Sequence, residues 1–411
     1  MTTAAIRRDI FLHAPLPGPR ESPGKAPGRP LSIVHIITRL ERGGSTDCTL
    51  WQAMGSARRG HRVLVVAGPS EAPSPLLEAA RHQPRLRLAE IPSLRRPIGP
   101  VSDLRAFLSI FFLLREESPD VIHTHTSKAG ALGRLAACIA GQRGRVVHQP
   151  HGHLFYGYYG RLGGRLVAFA ERLLASMARV QIALSWRGAE EHLSRHVGRA
   201  SAWRVVRSGI DLRPFRRIGL GRLDARKRLG LLVGELLVGS VCRLEEIKGV
   251  EDLLRGFVLA ARSRPRLRLL LAGDGPLRDR LFAIARASGL EERVLIPGSW
   301  IDPREILPAL DLFVLASRNE GMGRALVEAM AAGLPVIACA VGGVPEVLEE
   351  GRDGLLIPPG DPEAVALAIA RLADDDRLRS RLARYARGRA IAFGAGRMIR
   401  ALLRIYAEVS G

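Results

Sequence analysis

Segments of strand-like and helix-like pattern alternate along the whole chain, and this alternation limits the fold more than any other feature. In the first half the apolar, strand-like segments are residues 31–37, 62–67, 121–123 and 145–148. In the second half they are residues 236–241, 267–272, 294–296, 312–315 and 335–338. Strands that alternate with helices form parallel sheets covered on both faces. The two series predict an α/β protein with two Rossmann-like domains, and 411 residues are enough for two cores.

The predicted domain boundary is Ser208-Gly-Ile-Asp211, which is followed by Pro214 and an Arg/Gly-rich stretch. The expected parts of the chain are a disordered, proline-rich tail at 1–30, a first domain at 31–207, a second domain at 208–390, and a helix at 391–411 that returns to the first domain. In open parallel sheets, ligands bind beyond the carboxyl ends of the strands. We therefore expect the functional site in the cleft between the two domains.

Charge is large and unevenly distributed. The formal net charge is +22, with 30 Lys/Arg against 14 Asp/Glu in residues 1–207 and 32 against 26 in residues 208–411. A basic half indicates an anionic partner, and an anionic membrane surface, a lipid diphosphate and a nucleic acid are the alternatives. We expect no nucleic acid, because only 5% of the residues are aromatic and the sequence has no basic–aromatic module.

Cysteine usage and hydropathy favour a cytoplasmic protein. The four cysteines, Cys48, Cys138, Cys242 and Cys339, are far apart and form no Cys-x-x-Cys pair. Neither a zinc site nor a disulfide framework is expected from such spacing. No apolar run approaches the ~20 residues that a membrane-spanning helix needs. Any attachment to the inner face of the plasma membrane is therefore expected to be peripheral.

Two carboxylates flank a glycine-rich turn in the second half. Glu320 and Glu328 lie on either side of Gly321-Met322-Gly323, with seven residues between them. The turn is predicted to join a buried strand to a helix, whose N-terminal N–H groups bind negative groups. Carboxylates beside such a site suit sugar hydroxyls, which donate hydrogen bonds to them. The alternative is that Glu320 caps the helix and Glu328 is a solvated helix residue.

A second turn contains two cations. The apolar strand at 236–241 is followed by Arg243 and Lys248, and Gly249 then opens a helix. Two cations beside a helix N-terminus are suited to clamp a diphosphate. Together with the paired glutamates, this turn predicts a nucleotide-sugar site.

The two motifs resemble the nucleotide-sugar site of family 4 retaining glycosyltransferases, which have the GT-B fold. From about residue 31 onward, further signatures of that family follow in its order. They are Gly43-Gly44, His151-Gly152, Ser208-Gly-Ile-Asp211, Gly273-Asp-Gly275, Ser299-Trp300, Val341-Gly-Gly-Val-Pro345 and Asp353-Gly-Leu-Leu-Ile-Pro358. Cys242 departs from the family pattern, which usually has glycine there, and is expected to crowd the clamp strand slightly. Met322 replaces the commoner phenylalanine with similar apolar bulk.

The resemblance implies a role for each matched residue. The catalytic set is His151, Arg243, Lys248 and Glu320. The donor-binding set is Gly43, Gly44, Arg243, Lys248, Gly273, Ser299, Trp300, Glu320, Gly321, Met322, Gly323 and Glu328. His151 would face the donor sugar, Glu320 would bind the sugar hydroxyls, and Glu328 would bind the ribose hydroxyls. Ser299 and Trp300 would contact the base.

The resemblance also implies a reaction, namely retaining, metal-independent hexosyl transfer from a UDP- or GDP-sugar without a cofactor. The first domain would bind the acceptor and the second the nucleotide-sugar. Residues 123–133 and 151–158 resemble a bacterial subgroup that assembles cell-surface exopolysaccharide or lipopolysaccharide. That likeness implies a polyprenyl-diphosphate-linked saccharide as acceptor. The alternative enzyme class is a GT-B sugar-nucleotide epimerase, which needs no acceptor.

Two other groups of residues have competing interpretations. A metal site is one interpretation of a set of histidines, namely His123, His125, His148, His151 and His153. Their spacing fits no familiar ligand set, so core or loop positions are favoured for all except His151. Asp374-Asp-Asp376 matches the Asp-x-Asp pattern of metal-dependent transferases, but its position favours a cluster at a helix start.

Helices are predicted at residues 104–115 and 161–179. The second has four arginines that are expected to share one face, Arg161, Arg165, Arg172 and Arg179. Its large apolar residues are Leu166, Phe169, Leu173 and Met177. Either this apolar stripe packs into the domain core with the arginines solvated, or the arginine face docks on an anionic membrane.

Overall fold

The computed structural model of the protein describes residues 29–151, 161–216, 221–298 and 302–411. Residues 1–28 of the predicted tail, His153 and the predicted base-contacting pair Ser299-Trp300 lie outside these ranges. The described residues form two α/β domains, each with a parallel sheet, which confirms the predicted fold class.

The first domain is built on a seven-stranded sheet. Its strands are β1 (Ser32–Arg39), β2 (Arg62–Gly68), β3 (Leu86–Glu90), β4 (Val121–His125), β5 (Val146–Gln149), β6 (Val180–Ala183) and β7 (Trp203–Val205). They lie in the order β3-β2-β1-β4-β5-β6-β7, and every neighbouring pair is parallel. The order reverses between β1 and β4, so the carboxyl ends of these two strands border a crevice.

Helices cover both faces of this sheet. They are α1 (Gly44–Ala57), α2 (Leu76–Arg81), α3 (Pro100–Glu117), α4 (Ser127–Ile139), α5 (Arg161–Ala175) and α6 (Trp186–Ser194). Ile33 of β1 packs with apolar residues of α1, whereas the next residue, Val34, packs with residues of α3 and α4. Alternate side chains of a strand point to opposite faces, so β1 contributes to two cores.

The second domain is built on a six-stranded parallel sheet. Its strands are β8 (Leu236–Val241), β9 (Leu267–Ala272), β10 (Val294–Leu295), β11 (Leu312–Leu315), β12 (Val336–Cys339) and β13 (Leu355–Ile357). They lie in the order β10-β9-β8-β11-β12-β13. The helices are α7 (Arg213–Arg216), α8 (Arg222–Arg228), α9 (Val250–Ala261), α10 (Arg278–Ala287), α11 (Pro303–Ile306), α12 (Arg324–Ala332), α13 (Val344–Val347), α14 (Pro362–Asp374) and α15 (Asp376–Ala390). The order again reverses next to the first strand, between β8 and β11, which places a second crevice there.

The last helix, α16 (Ala395–Ser410), belongs to the core of the first domain. Its residues Met398, Leu402 and Tyr406 are buried in the same cluster as Met54 of α1. The polypeptide therefore crosses between the domains twice, once before α7 and once before α16.

The two crossing segments are hydrogen-bonded to each other. The N–H of Ile210 donates to the carbonyl of Phe393 at 3.0 Å, and the N–H of Ala395 donates to the carbonyl of Ile210 at 2.9 Å. The domains are therefore connected by two hydrogen-bonded segments of backbone rather than by one flexible linker.

The observed strands agree with the predicted ones to within two residues at each end. The segments 236–241, 267–272 and 312–315 coincide with β8, β9 and β11. The sequence pattern does not reveal β3, β6, β7 or β13. Each of these strands spans only three to five residues, which is too short for a clear hydrophobic pattern.

The prediction of a helix over residues 161–179 is wrong at its C-terminal end. Helix α5 ends at Ala175 because the chain turns there to enter the sheet as β6, in which all four residues are buried. Arg179 lies beyond the helix, and its guanidinium donates to the carbonyl of Val409 in α16 at 3.3 Å. The four arginines therefore do not share one helical face.

The interpretation that the apolar stripe of α5 packs into the core is also wrong. Leu166, Phe169 and Leu173 are 70%, 55% and 56% exposed. Helix α4 contacts both α5 and α3, and α3 exposes Leu104 and Phe112 by 58% and 63%. We call these five residues the apolar face of the first domain. In the part of the chain that the structure describes, no helix is long and apolar enough to cross a membrane.

The prediction that Asp374-Asp-Asp376 marks a helix start is confirmed. Asp375 caps α15, because its carboxylate accepts a hydrogen bond from the N–H of Leu378 at 2.8 Å. Asp374 pairs with Arg264 of the same domain. Both side chains are thus engaged in the structure of the second domain.

Candidate active site

The candidate site lies where the two domains approach each other. A Cβ atom placed on Gly44, at the start of α1, would lie 2.9 Å from Cδ of Arg324. A Cβ atom placed on Gly321 would lie 3.8 Å from the carbonyl oxygen of His151. Predicted site residues of the first domain, Gly44 and His151, therefore lie against the predicted glycine turn of the second.

Glu320 and Lys248 form an ion pair between two loops of the second domain. Nζ of Lys248 lies 2.6 Å from Oε1 of Glu320, and the hydroxyl of Ser317 donates to the same oxygen at 2.9 Å. Burial opposes the charge of the lysine, but the ion pair and hydrogen bond with Glu320 outweigh it and raise the pKa of Lys248. Gly323, not Glu320, occupies the N-cap of α12, so the interpretation of Glu320 as a helix cap is wrong.

Arg243 lies on the same turn as Lys248 but is more exposed. Its side chain is 53% exposed and lies 2.7 Å from Glu245. The turn ends at Gly249, where φ is +60° and a Cβ atom would come within 2.0 Å of the carbonyl oxygen of Ala316. Only glycine allows α9 to begin so close to the end of β11. Both cations therefore lie on the turn that leads into a helix N-terminus, an arrangement that can stabilise negative charge.

Gly273 brings the loops after β8 and β9 into contact. A Cβ atom at this position would lie 1.9 Å from the carbonyl oxygen of Cys242, so a side chain there would push the two loops apart. Cys242 itself donates its N–H to the carbonyl of Ala272 at 3.1 Å. Burial raises the pKa of its thiol to about 11. Cys242 thus remains a neutral thiol next to Arg243.

The glycine turns leave mainly backbone facing the cleft. Gly43 occupies the N-cap of α1, and a Cβ atom on it would meet open space. Gly323 has a φ of +80°, a conformation that favours glycine. Met322 lies between the two glycines of its turn, and its side chain is buried in the core of the second domain. It can therefore approach a ligand only through its backbone.

Glu328 is mostly buried and lies beside a cation. Its side chain is 13% exposed, and its Oε1 lies 3.8 Å from Nη2 of Arg324. Burial raises the pKa of the Glu328 carboxyl to about 7, and Arg324 offsets only part of this effect. The interpretation of Glu328 as a solvated helix residue is therefore wrong.

Arg324 is a site residue that the sequence reasoning does not identify. Its Nη2 lies 3.7 Å from Asp47 in α1, and its Nη1 donates to the hydroxyl of Ser208 at 3.4 Å and to the carbonyl of Gly209 at 3.3 Å. One side chain of the second domain thus contacts the first domain and the boundary segment. The sequence does contain a signal for Arg324. A cation in the first turn of a helix is unfavourable with the helix dipole, so its presence there indicates a role other than stabilising the helix.

His151 follows β5 and reaches the cleft from the first domain. Its φ is +64°, which is unusual for a residue other than glycine. Its Nε2 lies 2.8 Å from Nδ1 of His125. Burial, together with the positive charge of Arg324, lowers the pKa of His151 to about 3. The imidazole is therefore neutral at physiological pH.

Three other histidines of the predicted set occupy the interior of the first domain. His123, His125 and His148 are buried, which confirms their interpretation as core residues. Among the described residues, the histidines whose possible ligand atoms converge differ from the predicted set, because His35 of β1 is included and His148 and His151 are not. The possible ligand atoms of His35, His123 and His125 all lie within 4.8 Å of one another. The sequence reasoning does not identify His35, although a polar residue within an apolar strand is a signal for it.

Two parallel-sheet domains that hold cations, carboxylates and glycine turns at one cleft define the GT-B class of glycosyltransferases. Residues 43–213 match the Glycosyltransferase Family 4 domain, and residues 222–389 match the Glycosyl transferases group 1 domain. The chain belongs to glycosyltransferase family 4, and it is a transferase of class EC 2.4.

Named relatives and a solved structure extend these matches. The chain is similar to the UDP-Gal:alpha-D-GlcNAc-diphosphoundecaprenol alpha-1,3-galactosyltransferase of Escherichia coli, with 31% identity over 289 residues that cover 69% of this chain and 74% of that protein. It is 27% identical to the putative glycosyltransferase EpsD of Bacillus subtilis over 320 residues, which cover 77% of this chain and 83% of EpsD. The crystal structure of Anabaena HepE in complex with UDP has a TM-score of 0.73 and 25% identity, covering 91% of this chain and 98% of HepE.

Proposed function

We propose that the protein transfers a hexosyl group from a UDP- or GDP-sugar to a polyprenyl-diphosphate-linked saccharide in cell-surface polysaccharide synthesis, with retention and without a metal ion or cofactor. The observation that most supports this is the ion pair of Lys248 with Glu320 at 2.6 Å, in a cleft where Arg324 lies against Gly44. Cations beside carboxylates fit a sugar joined to a diphosphate. The E. coli relative is named for UDP-Gal and a diphosphoundecaprenol-linked GlcNAc, and HepE has been solved with UDP; both support these substrates.

The ion pair supports the following sequence of contacts when the donor binds. A diphosphate carries more negative charge than a carboxylate, so it would replace Glu320 as the partner of Lys248. Glu320, released from the lysine, would then accept hydrogen bonds from hydroxyls of the donor sugar. Arg243 is half-exposed and supplies the second cation. Neutralisation of the diphosphate by these side chains and by the N-terminus of α9 supports a reaction that needs no metal ion.

The proposed reaction is a front-face attack. The acceptor hydroxyl oxygen bonds to the anomeric carbon while the bond from that carbon to the diphosphate oxygen breaks, and the leaving oxygen accepts the hydroxyl proton. Because attack and departure occur on the same face, the anomeric configuration is retained. Arg243 and Lys248 stabilise the charge that develops on the leaving group. His151 faces the donor sugar and Glu328 the ribose, in the roles that the family resemblance implies.

We also propose that the first domain docks on the anionic inner face of the plasma membrane. Its apolar face is flanked by the exposed Arg165 and Arg172 of α5. Each Lys or Arg close to an anionic leaflet contributes roughly 1 kcal/mol, and exposed apolar side chains insert at the headgroup boundary. Peripheral binding of this kind would hold the cleft beside a lipid-linked acceptor.

The test is incubation with a panel of UDP- and GDP-sugars and a polyprenyl-diphosphate-linked saccharide, with and without EDTA. We expect nucleotide release that requires the acceptor, survives EDTA and yields a product with the anomeric configuration of the donor. Lys248→Ala should lose this activity, whereas Lys227→Ala, on the exposed surface of α8, should keep it. Conversion of the nucleotide-sugar without an acceptor would indicate an epimerase, and an inverted product or loss of activity in EDTA would contradict retention or metal independence.

A further inference from the structure

A chain of hydrogen-bonded histidines runs from the interior of the first domain to the cleft. Nδ1 of His35 lies 2.9 Å from Nε2 of His125, and Nδ1 of His125 lies 2.8 Å from Nε2 of His151. His35 and His125 are fully buried, on the neighbouring strands β1 and β4. This chain of histidines therefore joins the buried sheet to His151, which reaches the candidate active site.

Each ring in the chain carries a single proton. Burial lowers the pKa of His35 and of His151 to about 3 and keeps the pKa of His125 well below its usual 6.5. A neutral imidazole has one donor nitrogen and one acceptor nitrogen. Because both nitrogens of His125 are engaged, only two arrangements are consistent. Either all the N–H bonds point toward the cleft, or all point toward the interior.

The buried end of the chain distinguishes the two arrangements. With the N–H bonds pointing inward, His35 would carry its proton on Nε2, a buried atom with no hydrogen-bond partner among the described residues. With the N–H bonds pointing outward, the same atom is a bare acceptor. Buried donors without a partner are rarer in proteins than buried acceptors without one. The outward arrangement is therefore favoured, with His35 donating to His125 and His125 donating to His151.

We propose that His35 and His125 are positioning residues that hold His151 as its Nδ1–H tautomer and present that N–H to the cleft. Because Nε2 of His151 accepts from His125, Nδ1 is the nitrogen left to carry the proton. An N–H fixed in this way selects an oxygen acceptor on the donor sugar. The strained backbone of His151, with its φ of +64°, agrees with a side chain that its partners hold in place. This inference rests on the proposed function, which places the donor sugar beside His151.

A metal ion is the competing use of the cluster formed by His35, His123 and His125. Hydrogen bonds engage both nitrogens of His125 and Nδ1 of His35. Nδ1 of His123 lies 2.7 Å from the hydroxyl of Tyr406. A metal ion bound by all three rings would have to break at least one of these hydrogen bonds, since His125 has no nitrogen left. The hydrogen-bonded chain therefore accounts for the geometry better.

The tautomer can be measured by nitrogen-15 NMR of the full chain labelled at histidine, with the His151 signals assigned by their loss in His151→Gln. We expect a protonated Nδ1 and a bare Nε2 at His151 in the absence of any ligand. A proton on Nε2 would overturn the proposal. The proposal would also be overturned if the protein, purified without a chelator, retained one equivalent of zinc and the His35→Phe variant did not. This measurement needs no substrate, so it separates a failure of this inference from a failure of the proposed reaction.

Kinetics test the consequence for transfer. His125→Phe keeps a ring but removes both hydrogen bonds, and it should alter the His151 tautomer and lower kcat by about ten- to a hundredfold, as misplacement of a reacting group does. The KM for the nucleotide-sugar should change little. His125→Asn, whose amide can replace the Nδ1 donor, should recover part of the kcat. The matched control is Tyr406→Phe. It removes the hydrogen-bond partner of His123, which is not one of the three linked histidines, and should leave the His151 tautomer unchanged. An unchanged tautomer and kcat in folded His125→Phe would contradict the proposal.

Discussion

Protonation of Glu328 is expected to control nucleotide affinity near neutral pH. Burial raises the pKa of this carboxyl to about 7. A carboxylate accepts hydrogen bonds from both ribose hydroxyls, whereas a protonated carboxyl uses one of its oxygens as a donor. With this pKa, roughly nine-tenths of the carboxyl is ionised at pH 8 and roughly one-tenth at pH 6. If the ionised form binds, Kd rises about tenfold from pH 8 to pH 6, which corresponds to about 1.4 kcal/mol.

Calorimetric titration with UDP and with GDP at pH 6, 7 and 8 measures this effect. The nucleotide phosphate also titrates in this range, so Glu328→Gln is the control. We expect the variant to bind more weakly than the wild type at pH 8 and to show only the pH dependence of the nucleotide itself. Because only the ionised form of Glu328 binds, nucleotide binding to the wild type at pH 7 should release a proton from this carboxyl. The buffer takes up that proton, so the measured heat of binding should depend on the ionisation enthalpy of the buffer. Equal pH dependence in both proteins would refute the reasoning.

The same carboxyl should affect stability in the opposite direction. An acid whose pKa is raised on folding destabilises the folded state once it ionises, so the cost is absent below its unfolded pKa and complete above about pH 7. A rise from 4.5 to about 7 corresponds to roughly 3 kcal/mol. Glu328→Gln should therefore unfold at higher denaturant concentration than the wild type at pH 8 and show little difference at pH 5. If Glu328→Gln were no more stable than the wild type at pH 8, the carboxyl of Glu328 would have to be less buried than the structure shows.

Four further substitutions test the diphosphate clamp, the role of His151 and membrane docking. Lys248→Ala and Arg243→Ala should each lower kcat about a hundred- to thousandfold, which is the usual loss for one transition-state contact. Lys227→Ala is the control. Near-normal turnover in both site variants would exclude a diphosphate clamp. His151→Ala should lower transfer strongly but leave UDP and GDP affinity nearly unchanged in calorimetry, and similar losses in both would contradict its place beside the sugar. Phe169→Glu should reduce co-sedimentation of the protein with anionic vesicles at low salt. Membrane docking would be excluded if the wild type did not bind these vesicles, or if added salt did not reverse its binding.

The second-domain half of the site could be predicted because its residues lie on short stretches of sequence. Arg243 and Lys248 share one turn, and Glu320 lies on the loop that follows a strand revealed by the hydrophobic pattern. Local spacing therefore specifies which side chains emerge at the strand ends. The pattern does not reveal that Lys248 and Glu320 pair with each other, because β8 and β11 are neighbours only through the strand order of the sheet.

The residues that the sequence reasoning misses are those whose partners come from distant segments. His35 meets His125 because β1 pairs with β4, although 90 positions separate the two histidines. Arg324 meets Asp47 only because the two domains face each other. The exposure of Phe169 could not be predicted either, because an amphipathic helix shows which residues share a face but not what that face contacts.

The position of α16 in the first domain has a consequence for biosynthesis. Residues 395–410 leave the ribosome only after the whole second domain has been made. Until then the apolar surface that Leu402 and Tyr406 cover, which includes Met54 of α1, stays open. Multidomain chains usually fold domain by domain during synthesis, and exposed apolar surface makes intermediates prone to aggregate. The first domain is therefore made first but completed last, and its nascent form should depend on chaperones throughout translation of the second domain.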